Sequence, residues 1–157
     1  MVQIRRMDHK DTEEVICLMV RAIMGIPGHV YTDAQKKAWA GAVSMNTNLS
    51  ARLLNGYTLL AVEQRKIIAM ATLTDGAVID FLYVSPEEQR SKKASILLER
   101  LERKAASMGA VNLHTEASFA AVPFFVKNGY KQVHQQEKTL GGTLIKNVRM
   151  CKKVNNE

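Results

Sequence analysis

At 157 residues, 46% hydrophobic and 24% charged, the chain has the makeup of a single globular domain, without the bias of disorder or coiled coil. No apolar run approaches the roughly 20 residues a spanning helix needs, and "MVQIRRMDHKDTEE" lacks the apolar core of a signal peptide. A cytoplasmic location with no membrane partner is therefore expected. The formal net charge of +7 favours anionic partners, yet no basic run is interleaved with aromatics as a single-strand binding surface would be. Nucleic acid is the least supported partner. Cys17 and Cys151 have no Cys or His nearby at metal-ligand spacing, so neither a disulfide nor a metal centre is expected.

In chain order, "QIRR" reads as a first strand. Asp11 and Glu14 have capping-box spacing, and Val15, Leu18, Met19, Ala22 and Ile23 recur at helical period behind them. The glycines and proline of "GIPGHVYT" end that helix, and Thr32 with Gln35 opens a second, short one through Trp39. A further helical stretch is expected around Leu49 to Leu54. "YTLLAVE", "KIIAMATL" and "AVIDFLYV" then read as an antiparallel meander. The strongest helix follows, its stripe formed by Ala94, Leu97, Leu98, Leu101, Ala105 and Met108, with Gly109 suited to the cap. "VNLHTEAS" is a strand, a helix runs from near Pro123 to Gly129, and "YKQVHQQ" and "GTLIKNVRMCKK" are the last strands, joined at Gly141 and Gly142. The order predicts a single α/β domain over residues 1–157, with a mixed, mostly antiparallel sheet of about seven strands and about four flanking helices.

"IDFLYVSPEEQRSKKASILLERLE", "LHTEASFAAVPFFVKNGY" and the tail "GTLIKNVRMCKK", in that order, resemble the GCN5-related N-acetyltransferases across nearly the whole chain. The resemblance implies acetyl transfer from acetyl-coenzyme A, the cosubstrate, to a primary amine of a small molecule or peptide by direct sequential transfer. It implies a V-shaped opening between the fourth and fifth strands, with the backbone of Phe81, Leu82, Tyr83 and Val84 pairing with pantetheine. Gln89, Arg90, Ser91, Lys92, Lys93, Ala94 and Ser95 correspond to the loop and helix start that receive the pyrophosphate. Ser118, Phe124 and Phe125 fall on the cofactor side of the next strand and helix. Dimerisation is common in the family, but the sequence specifies no interface. The loop reading also has a physical basis, because the first helical turn presents unpaired N–H donors and a partial positive charge.

Two departures bear on function. Lys92 stands where the family motif has its first glycine. It keeps the backbone donor but adds a Cβ, which costs about 1–2 kcal/mol if the position is left-handed and little if it is right-handed. Phe125 stands where many relatives have a tyrosine that protonates the leaving thiolate. Other groups are therefore candidates: Asp80, a charge within an apolar strand, as base or amine anchor; Glu116, sharing a face with His114 and Ser118, as amine anchor or proton relay; and Tyr31, beyond "GIPGHV", as proton donor or pocket wall. His114 and His29 are weaker candidates, and Trp39 reads as packing. The competing reading is a noncatalytic domain of the same fold that binds a ligand or a protein partner.

Overall fold

The computed structural model describes residues 1–89 and 91–154. Strands β1 (Gln3–Arg6), β2 (Tyr57–Glu63), β3 (Lys66–Thr74), β4 (Val78–Val84), β5 (Asn112–Ser118), β6 (Lys131–Leu140) and β7 (Thr143–Lys153) form one sheet in the order β1-β2-β3-β4-β5-β7-β6. All neighbours are antiparallel except β4 and β5. The helices are α1 (Thr12–Met24), α2 (Asp33–Ser44), α3 (Leu49–Asn55), α4 (Lys93–Ser107) and α5 (Val122–Lys127). This is the expected mixed sheet of about seven strands, and the five helices among the described residues lie at the five helical stretches the sequence offered. None of these helices is long and apolar enough to cross a membrane.

The centre of the sheet is buried on both faces, which is why β2 and β3 read as continuous apolar runs rather than alternating ones. Period-two alternation sends Leu59, Ala61, Ala69 and Ala71 toward Leu97, Leu98, Leu101 and Ala105 of α4. Leu60 and Met70 point the other way, against Val15, Leu18, Met19 and Ile23 of α1 and Leu53 of α3. The α4 stripe is buried from Leu97 to Ala105 as expected, but Ala94 at its start is only half-buried and Met108 is exposed beyond the last helical turn. Gly109 follows with φ 87°, a left-handed cap open to glycine at little cost.

Two caps differ in outcome. Thr32 and Gln35 exchange the expected pair of bonds (3.1 and 2.9 Å), but α2 continues past Trp39 to Ser44. The box expected at Asp11 and Glu14 lies one turn earlier, between Asp8 and Asp11, at a 3-10 turn over His9–Asp11. Asp11 is drawn there because its carboxylate also receives both guanidinium nitrogens of Arg5, at 2.8 and 2.9 Å. Glu14 instead accepts from the backbone N–H of Ile67 in β3 (2.8 Å), tying α1 to the sheet. At the far edge β6 pairs with β7 alone and is mostly exposed. The two strands turn through Gly141 and Gly142, both at positive φ as a two-residue hairpin loop requires.

Candidate active site

The sheet divides where the pairing of its parallel strands β4 and β5 ends. β4 pairs with β3 from Thr74↔Val78 to Ala69↔Val84, but with β5 only at Val78↔His114 and Ile79↔Thr115. The last tie is the Thr115 hydroxyl donating to the Ile79 carbonyl (2.9 Å). Beyond it the strands diverge, so the backbone of Phe81, Leu82, Tyr83 and Val84 faces β5 without a strand partner. A β-bulge falls at the same place: the register with β3 passes from Ile79 to Phe81 and skips Asp80. An extended amide chain can add to such an edge as a further strand.

A small cleft fills the divergence, walled by Leu82, Tyr83, Thr115, Ser118, Ala121 and Phe125. Ser118 accepts from the Ala121 N–H (3.2 Å) at the start of α5. Phe125 is 3% exposed and sits edge-on between Phe124 (5.4 Å between ring centroids) and Tyr130 (5.1 Å). It offers the cleft only carbon. Tyr83 borders this cleft and also the larger one described below, facing Trp39 at 6.3 Å. Burial pushes its phenol above the ordinary tyrosine value; the Trp39 indole opposes the rise and Asp80 adds to it. Among the described residues its side chain is the phenol that adjoins both spaces.

After β4 the chain makes a 3-10 turn at Pro86–Glu88, and the Gln89 side chain folds back onto the Val84 carbonyl (3.2 Å). The Ser91 hydroxyl closes the turn by donating to the Glu88 carbonyl. Arg90 lies outside the described residues. Lys92 is left-handed, with φ 66° and ψ 0°, so the costlier of the two conformations left open by the sequence is the one adopted. Its carbonyl accepts the first helical bond of α4, from Ile96 (3.1 Å). The amides of Lys93, Ala94 and Ser95 precede that bond and find no acceptor among the described residues. They are the orphan donors of a 15-residue helix. The Lys93 ammonium, expected to face phosphate, is engaged elsewhere: it pairs with Glu88 (2.6 Å) and Glu63 (3.4 Å), both acids lying within reach of its short path back toward β2. Lys92 is exposed and makes no ion pair with any described residue.

On the face of the sheet carrying α1 and α2, the divergence opens into a cleft of about 600 Å³. That lies within the roughly 300–1,000 Å³ of small-molecule sites. The expected residues Tyr31, Asp80, Glu116 and His114 all line it, whereas His29 is exposed in its loop outside. Their partners revise their roles. One guanidinium nitrogen of Arg52 bridges both oxygens of Asp80 (2.8 Å each), and Thr74 donates to it as well (3.0 Å). Asp80 is thus a capped carboxylate rather than a free base. Glu116 pairs with Lys138. Burial pushes the Glu116 carboxyl up, but Lys138, Gln136 and Arg149 more than reverse this and hold it below the usual carboxylate range. The Tyr31 hydroxyl donates to the Lys146 carbonyl (2.7 Å) and accepts from the Phe119 N–H (2.9 Å). The hydroxyl thus fastens the α2 entry to β7 and to the residue just past β5.

Arg52, Lys138 and Arg149 were not singled out by the sequence, because nothing local marks a lysine or arginine as facing a cleft. Trp39 is more than packing, since it walls the cleft between Tyr31 (5.8 Å) and Tyr83. Asp80, a charge inside an apolar strand, did signal this part of the cleft, and the bulge lies at that residue.

The family profile described as an acetyltransferase (GNAT) domain matches residues 28–153. The chain belongs to the GNAT acetyltransferase family. It is 26% identical over 149 residues to the uncharacterized N-acetyltransferase YafP of Escherichia coli K12, covering 95% of this chain and 94% of that protein. A crystal structure of a GCN5-related N-acetyltransferase from Rhodopseudomonas palustris is 29% identical and superposes with a TM-score of 0.92 over 96% of this chain and 94% of that one. The PaiA N-acetyltransferase of Thermoplasma acidophilum, solved in complex with coenzyme A, shares the fold at 19% identity and a TM-score of 0.73, covering 98% of this chain and 99% of that one.

Proposed function

We propose that this acetyltransferase-family chain binds acetyl-coenzyme A and moves its acetyl group directly to a primary amine of a small molecule or peptide. The observation that carries the reading is the unpaired β4 edge leading straight into the donor-rich start of α4. Pantetheine amides pair with Phe81 to Val84, and the pyrophosphate meets the amides of Lys93, Ala94 and Ser95. Backbone N–H groups and the helix dipole supply the attraction, and the Lys92 ammonium adds to it from the exposed side. The thioester then lies at the divergence of β4 and β5, where an amide near Leu82 or Tyr83 polarises its carbonyl.

The amine enters from the larger cleft and attacks in its neutral form. As the carbon–sulfur bond breaks, the thiolate takes a proton from the Tyr83 phenol, which is neutral at neutral pH, and the phenolate regains a proton from solvent once the products leave. Phe125 cannot do this, and the Tyr31 hydroxyl donates to the Lys146 carbonyl. His114, on the cleft wall, is placed to receive the proton the amine loses. The alternative, a binding domain that has lost transfer, draws on the carbon-only surface of Phe125 and the strained Lys92.

Calorimetric titration with acetyl-coenzyme A and coenzyme A, followed by an amine panel scored by thiol release, separates the two. Saturable cofactor binding with turnover of at least one amine is expected. Binding without turnover across the panel supports the binding domain, and no cofactor binding refutes the transferase. Tyr83→Phe is expected to lower kcat at least about tenfold with acetyl-coenzyme A affinity preserved. An unchanged kcat removes Tyr83 from the mechanism.

A further inference from the structure

We infer that the acceptor is an amine that also carries a carboxylate, read by Arg149, on an apolar or aromatic body. The inference deepens the transfer reading above and rests on it for the identity of the reacting group. Its basis is the charge of the cleft wall. Three cations, Arg52, Lys138 and Arg149, face two carboxylates, Asp80 and Glu116. Asp80 is bridged by Arg52 and Glu116 is paired with Lys138. Arg149 stands directly opposite Glu116 in the β5–β7 register, so it acts on a carboxylate that Lys138 already holds. It makes no ion pair with any described residue, is exposed, and lines the cleft.

A polycationic acceptor is poorly served here, since each carboxylate it would use is already occupied and the wall carries one net positive charge. That same charge suits the chemistry. A nearby cation disfavours the ammonium form of the incoming amine, which raises the fraction able to attack without a strong base. An anionic group on the same molecule offsets the repulsion and gives Arg149 a bidentate partner.

Geometry is compatible with a short spacing between amine and carboxylate. Arg149 is one strand from Glu116, which lies two residues from Ser118 at the mouth of the divergence. These steps are about 5 Å across the sheet and about 7 Å along it, within the span of an arginine side chain. Trp39, Val43, Leu140 and Ile145 give the wall an apolar stretch that receives the body of the ligand, beside the polar Asn46, Ser118 and Asn147.

The test pairs amines that differ only in the carboxylate: L-phenylalanine against phenethylamine, and L-leucine against isopentylamine. Each is titrated into the protein saturated with coenzyme A, and thiol release is followed separately with acetyl-coenzyme A. The carboxylated member of at least one pair is expected to bind about tenfold or more tighter, as a charged hydrogen-bonded pair implies. Arg149→Gln is expected to abolish that difference and Arg149→Lys to restore part of it, with coenzyme A affinity and thermal midpoint tracking the parent protein. Equal or tighter binding of the decarboxylated amines, discrimination that survives Arg149→Gln, or no binding of any member at millimolar concentration overturns the inference. Discrimination that depends on Arg149 without thiol release supports the carboxylate subsite while refuting transfer.

Discussion

Replacing Lys92 with glycine is expected to stabilise the protein, although the residue is exposed and touches no partner among those described. The reason is its left-handed backbone, φ 66° and ψ 0°. For a residue with a Cβ this conformation costs about 1–2 kcal/mol, which glycine recovers. Glycine also enlarges the unfolded ensemble, which takes back about 0.5–1 kcal/mol. The net gain is about 0.5–1 kcal/mol, or roughly 1–4 °C in Tm for a chain of this size. Lys92→Ala keeps the Cβ and is expected to be close to neutral. Lys92→Val adds β-branching to a left-handed site and is expected to cost at least a further ~1 kcal/mol. Lys92→Glu separates stability from binding. An anion at the start of α4 interacts favourably with the helix dipole by about 0.3–1 kcal/mol, yet repels a pyrophosphate at the same place. It should therefore bind acetyl-coenzyme A more weakly than Lys92→Ala while unfolding at equal or higher denaturant. Urea titration without ligand and calorimetry with it measure the two quantities. A glycine variant destabilised while the valine variant is not would refute the left-handed assignment. Equal affinities for the glutamate and alanine variants would refute a charge contribution from the lysine.

The remaining predictions concern the frame around the site. Gly56→Ala is expected to destabilise by about 1–3 kcal/mol in urea titration, because the added Cβ would lie 2.7 Å from Thr72 Cγ2 and 3.1 Å from the Arg52 carbonyl. Arg52→Met should cost about 1 kcal/mol, since Asp80 retains Thr74 alone; a double-mutant cycle with Asp80→Asn should recover most of that as coupling. Arg5 holds the Asp11 carboxyl below its ordinary 3.8, so its contribution to stability is fully present above about pH 4. That contribution is lost as pH falls through the lowered folded value. Asp11→Asn should flatten this acid limb of stability against pH while leaving the slope near neutrality alone, and an unchanged limb would contradict the pairing.

Much of the fold was readable because it depends on near neighbours along the chain. The period of 3.6 in "ILLERLERKAAS", the apolar runs of β2 and β3 and the two glycines between β6 and β7 each constrain local backbone or face. Their order suffices for the sheet and for the loop after β4. Roles within the cleft were less legible because they are settled by pairs distant in sequence. Asp80 reads as a lone charge until Arg52, 28 residues earlier, closes on it, and Glu116 reads as free until Lys138 arrives from β6. Tyr31 looks available until Phe119, just past β5, and Lys146 of β7 bond to its hydroxyl from 88 and 115 residues away.

The sequence by itself thus determined the element order, the buried faces and the presence of donors at the start of α4, since hydrophobic period and helix geometry are local properties. Tertiary structure alone decided that Lys92 is left-handed, that Lys93 turns to Glu88 and Glu63, that the Asp80 bulge falls where β4 leaves β5, and that, of the three cations on the cleft wall, Arg149 makes no ion pair with a described residue. The backbone outcomes follow from how the loop and strands must fit the folded sheet, and the charge pairings from which groups that sheet brings within a few ångströms; the linear chain encodes neither one residue at a time.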